Sequence, residues 1–409
     1  MMTEKCVRWV LLAMLLLLTC GCIQQAPDQS VEPSQVLHLM ALQTTQEFLQ
    51  EAVDEFNEEN QYHVTIALET VSMDNYKRLL PISAATGDLP DLFFTWEAGY
   101  LEPLVRSGNV LPLTDYLDTW QARFEPEVFI PLSFDGEIYA VPLQQSLTVM
   151  FYNKTVFQEA GLTLPDTWGG FEQLCKSLKD QGIVPLALGS NDWQAGQLLT
   201  AILAGVGGRP LYESLDEGNA WMQAQMEQSV QILGHLYDCG YVVYEQDGIS
   251  LSEGTAAMQL MGDWVQPFYW EDDQIGAFLL PAVQAEYAGT CIRSVDQCYA
   301  VSASCQNPEA ACAFLELLTN QKYQHRLWEL TGQACSTTGI PGQQEYALQE
   351  EIFGLYQEVE DSVIWIDRGI GGDVGTRFNQ MAAAILSGRD PGEELEGFQT
   401  FLTAYYQKS

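Results

Sequence analysis

The stretch Ile138–Trp168, IYAVPLQQSLTVMFYNKTVFQEAGLTLPDTW, most constrains what this chain can fold into. Ile138 to Val141 reads as a short β run. Pro142 lacks an N–H donor and is expected to end regular pairing there. Gln144, Gln145 and Ser146 then put polar groups where a chain could pass along a cleft. Leu147 to Tyr152 resumes as a strongly apolar strand, and Thr155 to Ala160, followed by Gly161, reads as a short helix with a glycine C-cap. A strand that leaves one core, turns polar and enters a second core would be a hinge between two lobes. The length permits two cores: the chain has 409 residues, and single cores rarely grow past ~250–300.

The flanking order is α/β. Val36 to Ala41 reads as a strand and Thr45 to Glu59 as an amphipathic helix. Tyr62 to Leu68, a helix over Asn75 to Ala85 and the strand Asp91 to Trp96 follow, the pattern of a parallel sheet. Ligands of such sheets sit beyond the carboxyl ends of the strands. That makes Gln43, Thr44, Trp96 and Glu97 site candidates. After the crossing, a helix over Trp168 to Lys179 precedes the strand Ile183 to Leu188, which leads to Asn191, Asp192 and Trp193. An apolar helix, Gln197 to Ala204, is expected to stop at Gly205–Gly208. A further strand ends in Gly262-Asp263-Trp264, and Val295 to Ala303 reads as a return crossing.

The pattern VP…S…MFYNK…F..AGL..P.TW, with the strand ending in Gly-x-Trp, resembles bacterial extracellular solute-binding proteins of the sugar-binding type. The resemblance runs from about Leu37 to the C-terminus. It implies an α/β, two-lobed periplasmic-binding-protein type II fold. Each lobe would be a mixed, mostly parallel sheet flanked by helices, joined by a multi-segment hinge. Lobe 1 would comprise 36–142 with 296–340, and lobe 2 would comprise 143–295 with 341–409. The implied partners are a sugar in the cleft and the permease subunits of an ABC-type importer, served by a monomer that needs no cofactor.

A sugar ring offers an apolar C–H face and a belt of hydroxyls, matched by aromatic faces and by Asp, Glu, Asn or Gln. Trp96-Glu97, Asp192-Trp193, Asp263-Trp264 and Trp365 with Asp367 supply both parts, and Trp264 is the foremost stacking platform. The apolar neighbours Val363, Ile364 and Ile366 suit burial of Trp365 as well. Gln144 and Gln145 fit either hydroxyl binding or hinge solvation. Asp367 fits either a ligand hydroxyl or an ion pair with Arg368 or Arg377. Gly369–Gly375 (GIGGDVG) is expected to be a flexible turn before a helix over Thr376 to Leu386, with Gly372 and Asp373 near ligand. It lacks the GK[ST] or GxGxxG context of a phosphate loop.

Seventeen basic against 55 acidic residues give a net charge of −38, which argues against a nucleic-acid partner. Residues 1–22 read as an export signal, with Lys5 and Arg8 ahead of the apolar run Val10 to Leu18. Its end, Thr19-Cys20-Gly21-Cys22, resembles a lipoprotein processing site. Cys22 is the preferred lipidated residue because glycine precedes it, and Cys20 is the alternative. Residues 23–35 suit a flexible tether to the outer face of the cell membrane. The seven later cysteines show no CxxC spacing, so no metal site is expected. Buried free thiols are favoured, with one disulfide left open. No GxSxG or HExxH motif occurs. The rival readings are a glycosidase or lyase using Glu97 with Asp263, and a receptor that senses sugar without transporting it.

Overall fold

The structure is a computed structural model and describes residues 35–189, 191–216, 223–244, 249–339 and 346–407. The expected signal, the tether up to residue 34, Cys20 and Cys22 lie outside these residues. The strands are β1 (Gln35–Leu42), β2 (Val64–Val71), β3 (Leu92–Thr95), β4 (Ser133–Phe134), β5 (Glu137–Ile138) and β6 (Val141–Asn153). They continue with β7 (Val184–Leu188), β8 (Val242–Tyr244), β9 (Ala256–Gly262), β10 (Ile275–Phe278), β11 (Thr290–Val301) and β12 (Asp361–Val363). The main sheet runs β2-β1-β3-β11-β6-β9-β7-β8, with β10 added on β6 and β12 on β11. Pairing is parallel within β2-β1-β3 and within β9-β7-β8. It is antiparallel wherever β6 or β11 meets β3, β9 or the other.

Two separate apolar centres divide this sheet. The first draws on residues from Leu37 to Leu143 and from Val295 to Leu327. The second region draws on Leu147 to Ile292 and on Leu348 to Leu402, in adjoining clusters. β6 and β11 belong to both, so the polar interval Gln144–Ser146 falls where the chain changes lobe. Periodicity sets the helices that cover each face. In the helix Gln46–Glu58, Phe48, Leu49, Ala52, Val53 and Phe56 are buried along one stripe. Thr167 caps the helix Trp168–Asp180 by accepting the Gly170 N–H, and Gly161 closes Lys154–Ala160 at φ 67°.

Two expectations are corrected, and a third is narrowed to one residue. Pro142 does not end pairing: β6 is continuous, with Pro142 opposite Cys298. A proline at the second residue of a strand forfeits one donor while its neighbours hold the register. The helix that starts at Asp192 passes Gly205 and breaks at Gly208 (φ 53°), within the expected Gly205–Gly208 stop, before a helical segment continues to Asp216. A Cβ on Gly205 would lie 2.9 Å from the Val283 nitrogen, so this glycine serves close packing rather than termination. GIGGDVG is no loop either. It is split between the helices Ile366–Ile370 and Gly372–Ile385, with Gly371 at φ 58° between them. The cysteines 175, 239, 291, 298, 305, 312 and 335 are all free.

Candidate functional site

Two strand ends frame the seam between the lobes, and each closes its ladder with a side chain. In lobe 1 the last rung of β3 pairs Thr95 with Cys298. Beyond it, Glu97 Oε2 accepts the Val295 N–H of β11 at 2.8 Å. In lobe 2 the last rung of β9 pairs Gly262 with Thr148. Beyond that, Asp263 Oδ1 accepts the Leu147 N–H of β6 at 3.2 Å. Asp263 also accepts from the Tyr356 hydroxyl (2.7 Å) and from Gln333 Nε2 (3.4 Å). A buried backbone N–H must find an acceptor, and here a carboxylate replaces the missing strand. Both acids are fully buried. Burial pushes each carboxyl up to about 7, and Asp296 adds to the rise; Arg368 opposes it at Glu97, and Tyr356 opposes it at Asp263. With no exposure, neither carboxyl reaches the surface of the cleft in this structure.

Gln144 and Gln145 tie the crossing strands together. Gln144 is fully buried; its amide donates to Thr331 Oγ1 (2.5 Å) and accepts from Gln297 Nε2 (2.7 Å). Gln145 accepts from Arg293 Nε at 2.9 Å, and its backbone N–H donates to Ala334 O at 2.8 Å. The segment around Gln333–Ser336 is thus a third strand-like passage beside β6, bridged through Cys335. Gln297, between paired residues of β11, sits at φ 52°, a local break in the crossing.

The tryptophans separate into two settings. Trp193, Trp264 and Trp365 form a triangle, with ring centroids 6.0, 5.9 and 6.2 Å apart. Trp193 and Trp264 are half-buried, whereas Trp365 is buried. The Trp264 ring lies over Gly262, where a Cβ would come within 1.9 Å of it; the glycine of Gly-x-Trp therefore makes room for the indole. Trp96 instead joins the lobe 1 core, with its ring 4.8 Å from Phe94 and 5.0 Å from Tyr100.

The remaining candidates are dispersed. Gln43, Thr44, Asn191, Asp192 and Asp373 are exposed, and Asn191 Oδ1 caps a helix by accepting the Gln194 N–H at 2.8 Å. Asp367 makes neither of the expected ion pairs; it accepts from Asn379 Nδ2 at 3.2 Å. Arg368 faces Asp296 instead, and Arg377 faces Glu394. The lobes touch where Gly99 meets the 366–371 segment: a Cβ there would lie 2.5 Å from the Gly371 nitrogen.

Sequence reasoning missed Gln197, Gln297 and Arg368. Each carries a buried polar atom without a hydrogen-bond partner, as do Glu97 (Oε1) and Trp365 (Nε1). Arg368 Nη1 is 3.8 Å from Asp296 Oδ1, too far for a hydrogen bond. Gln197 is one turn beyond Trp193, on the helix face that carries Ala201 and Ala204, which pack with Trp365. A polar residue on an apolar stripe was the signal available for it. A separate groove of about 410 Å³ lies on lobe 1 beside Glu55, Arg123 and Glu316, away from these strand ends. Among the described residues, no group of His, Cys, Asp and Glu is placed to hold a metal ion.

The model of one family, bacterial extracellular solute-binding proteins, matches residues 42–325. The chain is 25% identical over 279 residues to an uncharacterized ABC transporter extracellular-binding protein of Pyrococcus horikoshii, covering 63% of this chain and 60% of that protein. It is 22% identical over 333 residues to a multiple sugar-binding protein of Streptococcus mutans, covering 74% of each. The match therefore spans less than two thirds of the first relative's length and about three quarters of the second's. Among solved structures, a chitin oligosaccharide binding protein superimposes with a TM-score of 0.83 at 22% identity, over 91% of this chain and 98% of that one. A binding protein solved with raffinose gives 0.74 at 19% identity, over 90% and 99%. The fold is thus the two-lobed one of these neighbours, and with a family model covering well over half its length the chain belongs to the bacterial extracellular solute-binding proteins.

Proposed function

We propose that this protein is a lipid-anchored carbohydrate receptor that closes two lobes on an oligosaccharide and presents it to an ABC-type importer. The observation that carries this reading is the three-indole cluster of Trp193, Trp264 and Trp365 beside buried polar atoms that have no protein partner. Indole faces suit the C–H face of a sugar, and unpartnered donors and acceptors suit its hydroxyls. Relatives named for multiple sugars, lactose and arabinooligosaccharides support the ligand class.

In this reading 36–142 with 296–340 form one jaw, and 143–295 with 341–409 form the other. Cys22 carries the lipid at the outer membrane face, the receptor acts as a monomer, and permease subunits read the closed form. Closure requires a ligand that binds the closed state better than the open one, which means contacts from both lobes. Trp264, Trp193 and Gln197 belong to one jaw; the exposed Gln43 and Thr44 border the other. Isothermal titration against raffinose, xylobiose, N,N′-diacetylchitobiose, maltotriose and lactose tests the proposal. Saturable heat with at least one sugar, returned unchanged after incubation, is expected; no heat across the panel defeats it.

A further inference from the structure

We propose that Glu97 and Asp263 are a matched pair of hinge-positioning residues, each fixing the strand that crosses between the lobes, and that their protonation sets how freely the lobes separate. The two acids are equivalent by construction. Each lies just past the last rung of its own lobe's strand, and each accepts a backbone N–H from a crossing strand: Val295 of β11 for Glu97 and Leu147 of β6 for Asp263. Their strands also meet, since Val295 pairs with Gln145 and Leu147 with Arg293. One carboxylate thus holds each of the two hydrogen-bonded crossings.

The surroundings make these anchors sensitive to charge. Glu97 faces Arg368 from the helix Ile366–Ile370, and Asp296 and Cys298 from β11. Asp263 faces Tyr356 from the helix Ala347–Glu358, Gln333 from the third passage, and Asp296. The Arg293 guanidinium lies over the Tyr356 ring at 5.4 Å. When both anchors are ionised, the seam holds three carboxylates with Asp296, against Arg293 and Arg368. Burial keeps both anchor carboxyls near 7, above their ordinary values of 4.5 and 3.8. The folded protein then holds protons that the unfolded chain has released, so this contribution to stability is full at acid pH and is lost as pH rises through about 7.

The test uses the intact protein without sugar, so its outcome is independent of the proposed ligand. Glu97→Gln and Asp263→Asn keep an accepting oxygen but cannot titrate. Melting temperature and radius of gyration by X-ray scattering are followed from about pH 4 to about pH 8, which covers the linkage window between the ordinary carboxyl values and about 7. The wild-type melting temperature is expected to fall more steeply than that of either variant, with the double variant flattest. Its radius of gyration is expected to rise with pH while the double variant's stays level. Many other acids also titrate, so the variant-minus-wild-type slope is the readout. Parallel melting curves would overturn the proposal, as would a wild-type radius that follows the double variant's across the range. Glu97→Ala, which removes the acceptor, is expected to melt lower at every pH; a melting temperature equal to wild type would also overturn it.

Discussion

The ends of β3 and β9 contain the same ingredients in opposite order: Trp96-Glu97 in lobe 1 and Asp263-Trp264 in lobe 2. The acids do the same work at both ends, capping a crossing strand from a buried position. The tryptophans do not. Trp96 directly follows the last residue of β3 and turns into the core, edge-on to Phe94 and Tyr76. Trp264 comes after its acid, outside the strand, and folds back over Gly262 into the indole triangle. A shift of one residue relative to the strand end changes which side of the sheet the ring reaches. The lesson is that a tryptophan next to an acid does not mark a sugar platform until the strand's last rung is located.

Substitutions at the two ends can break that contrast. Trp96→Ala should have the largest effect, about 3–5 kcal/mol of lost stability for a buried indole, read from denaturant midpoints; a loss of a few tenths would mean Trp96 is not core. Gly262→Ala should cost about 1–3 kcal/mol, because the Trp264 ring must leave, and should red-shift tryptophan emission. An unshifted spectrum at wild-type stability would remove Gly262 from the argument. Trp264→Ala should weaken sugar binding about tenfold or more while changing stability far less than Trp96→Ala. Titration calorimetry and melting on the same sample decide this, and equal affinities would take Trp264 out of the site. Lys77→Ala should have the smallest effect. Its ammonium lies 5.5 Å from the Trp96 ring centroid on an exposed helix face, so about 0.5–1 kcal/mol is expected, and a loss as large as that of Trp96→Ala would contradict a surface contact.

Much of the architecture was legible because it rests on local repetition. The stripe Phe48, Leu49, Ala52, Val53, Phe56 fixed a helix, and the apolar run after Ser146 fixed a strand. The errors fell on single residues read as punctuation. Pro142 was read as a stop, yet a strand tolerates one lost donor near its start. Gly205 and the glycines of GIGGDVG were read as loop formers, yet Gly205, Gly371 and Gly375 are sites where another backbone passes too close for a Cβ. Spacing alone does not distinguish a glycine that bends from one that admits a neighbour.

The site was less legible than the fold. Gln144 and Gln145 left hinge solvation and ligand contact open, and the structure gives them partners on neighbouring passages. Gln197 and Arg368 were not singled out as site residues, because what distinguishes them is buried polar atoms without partners, a property of their surroundings rather than of their residue type.

The chain by itself determined that there are two apolar centres, that strands alternate with helices, and that a polar interval at Gln144–Ser146 joins the centres. These follow from which residues avoid water and at what period. Only the tertiary structure decided which acids became anchors and which tryptophans became surface. That depends on where each ladder ends and on what fills the space beyond it, and both are set by strands and helices 70 to 198 residues away in the chain.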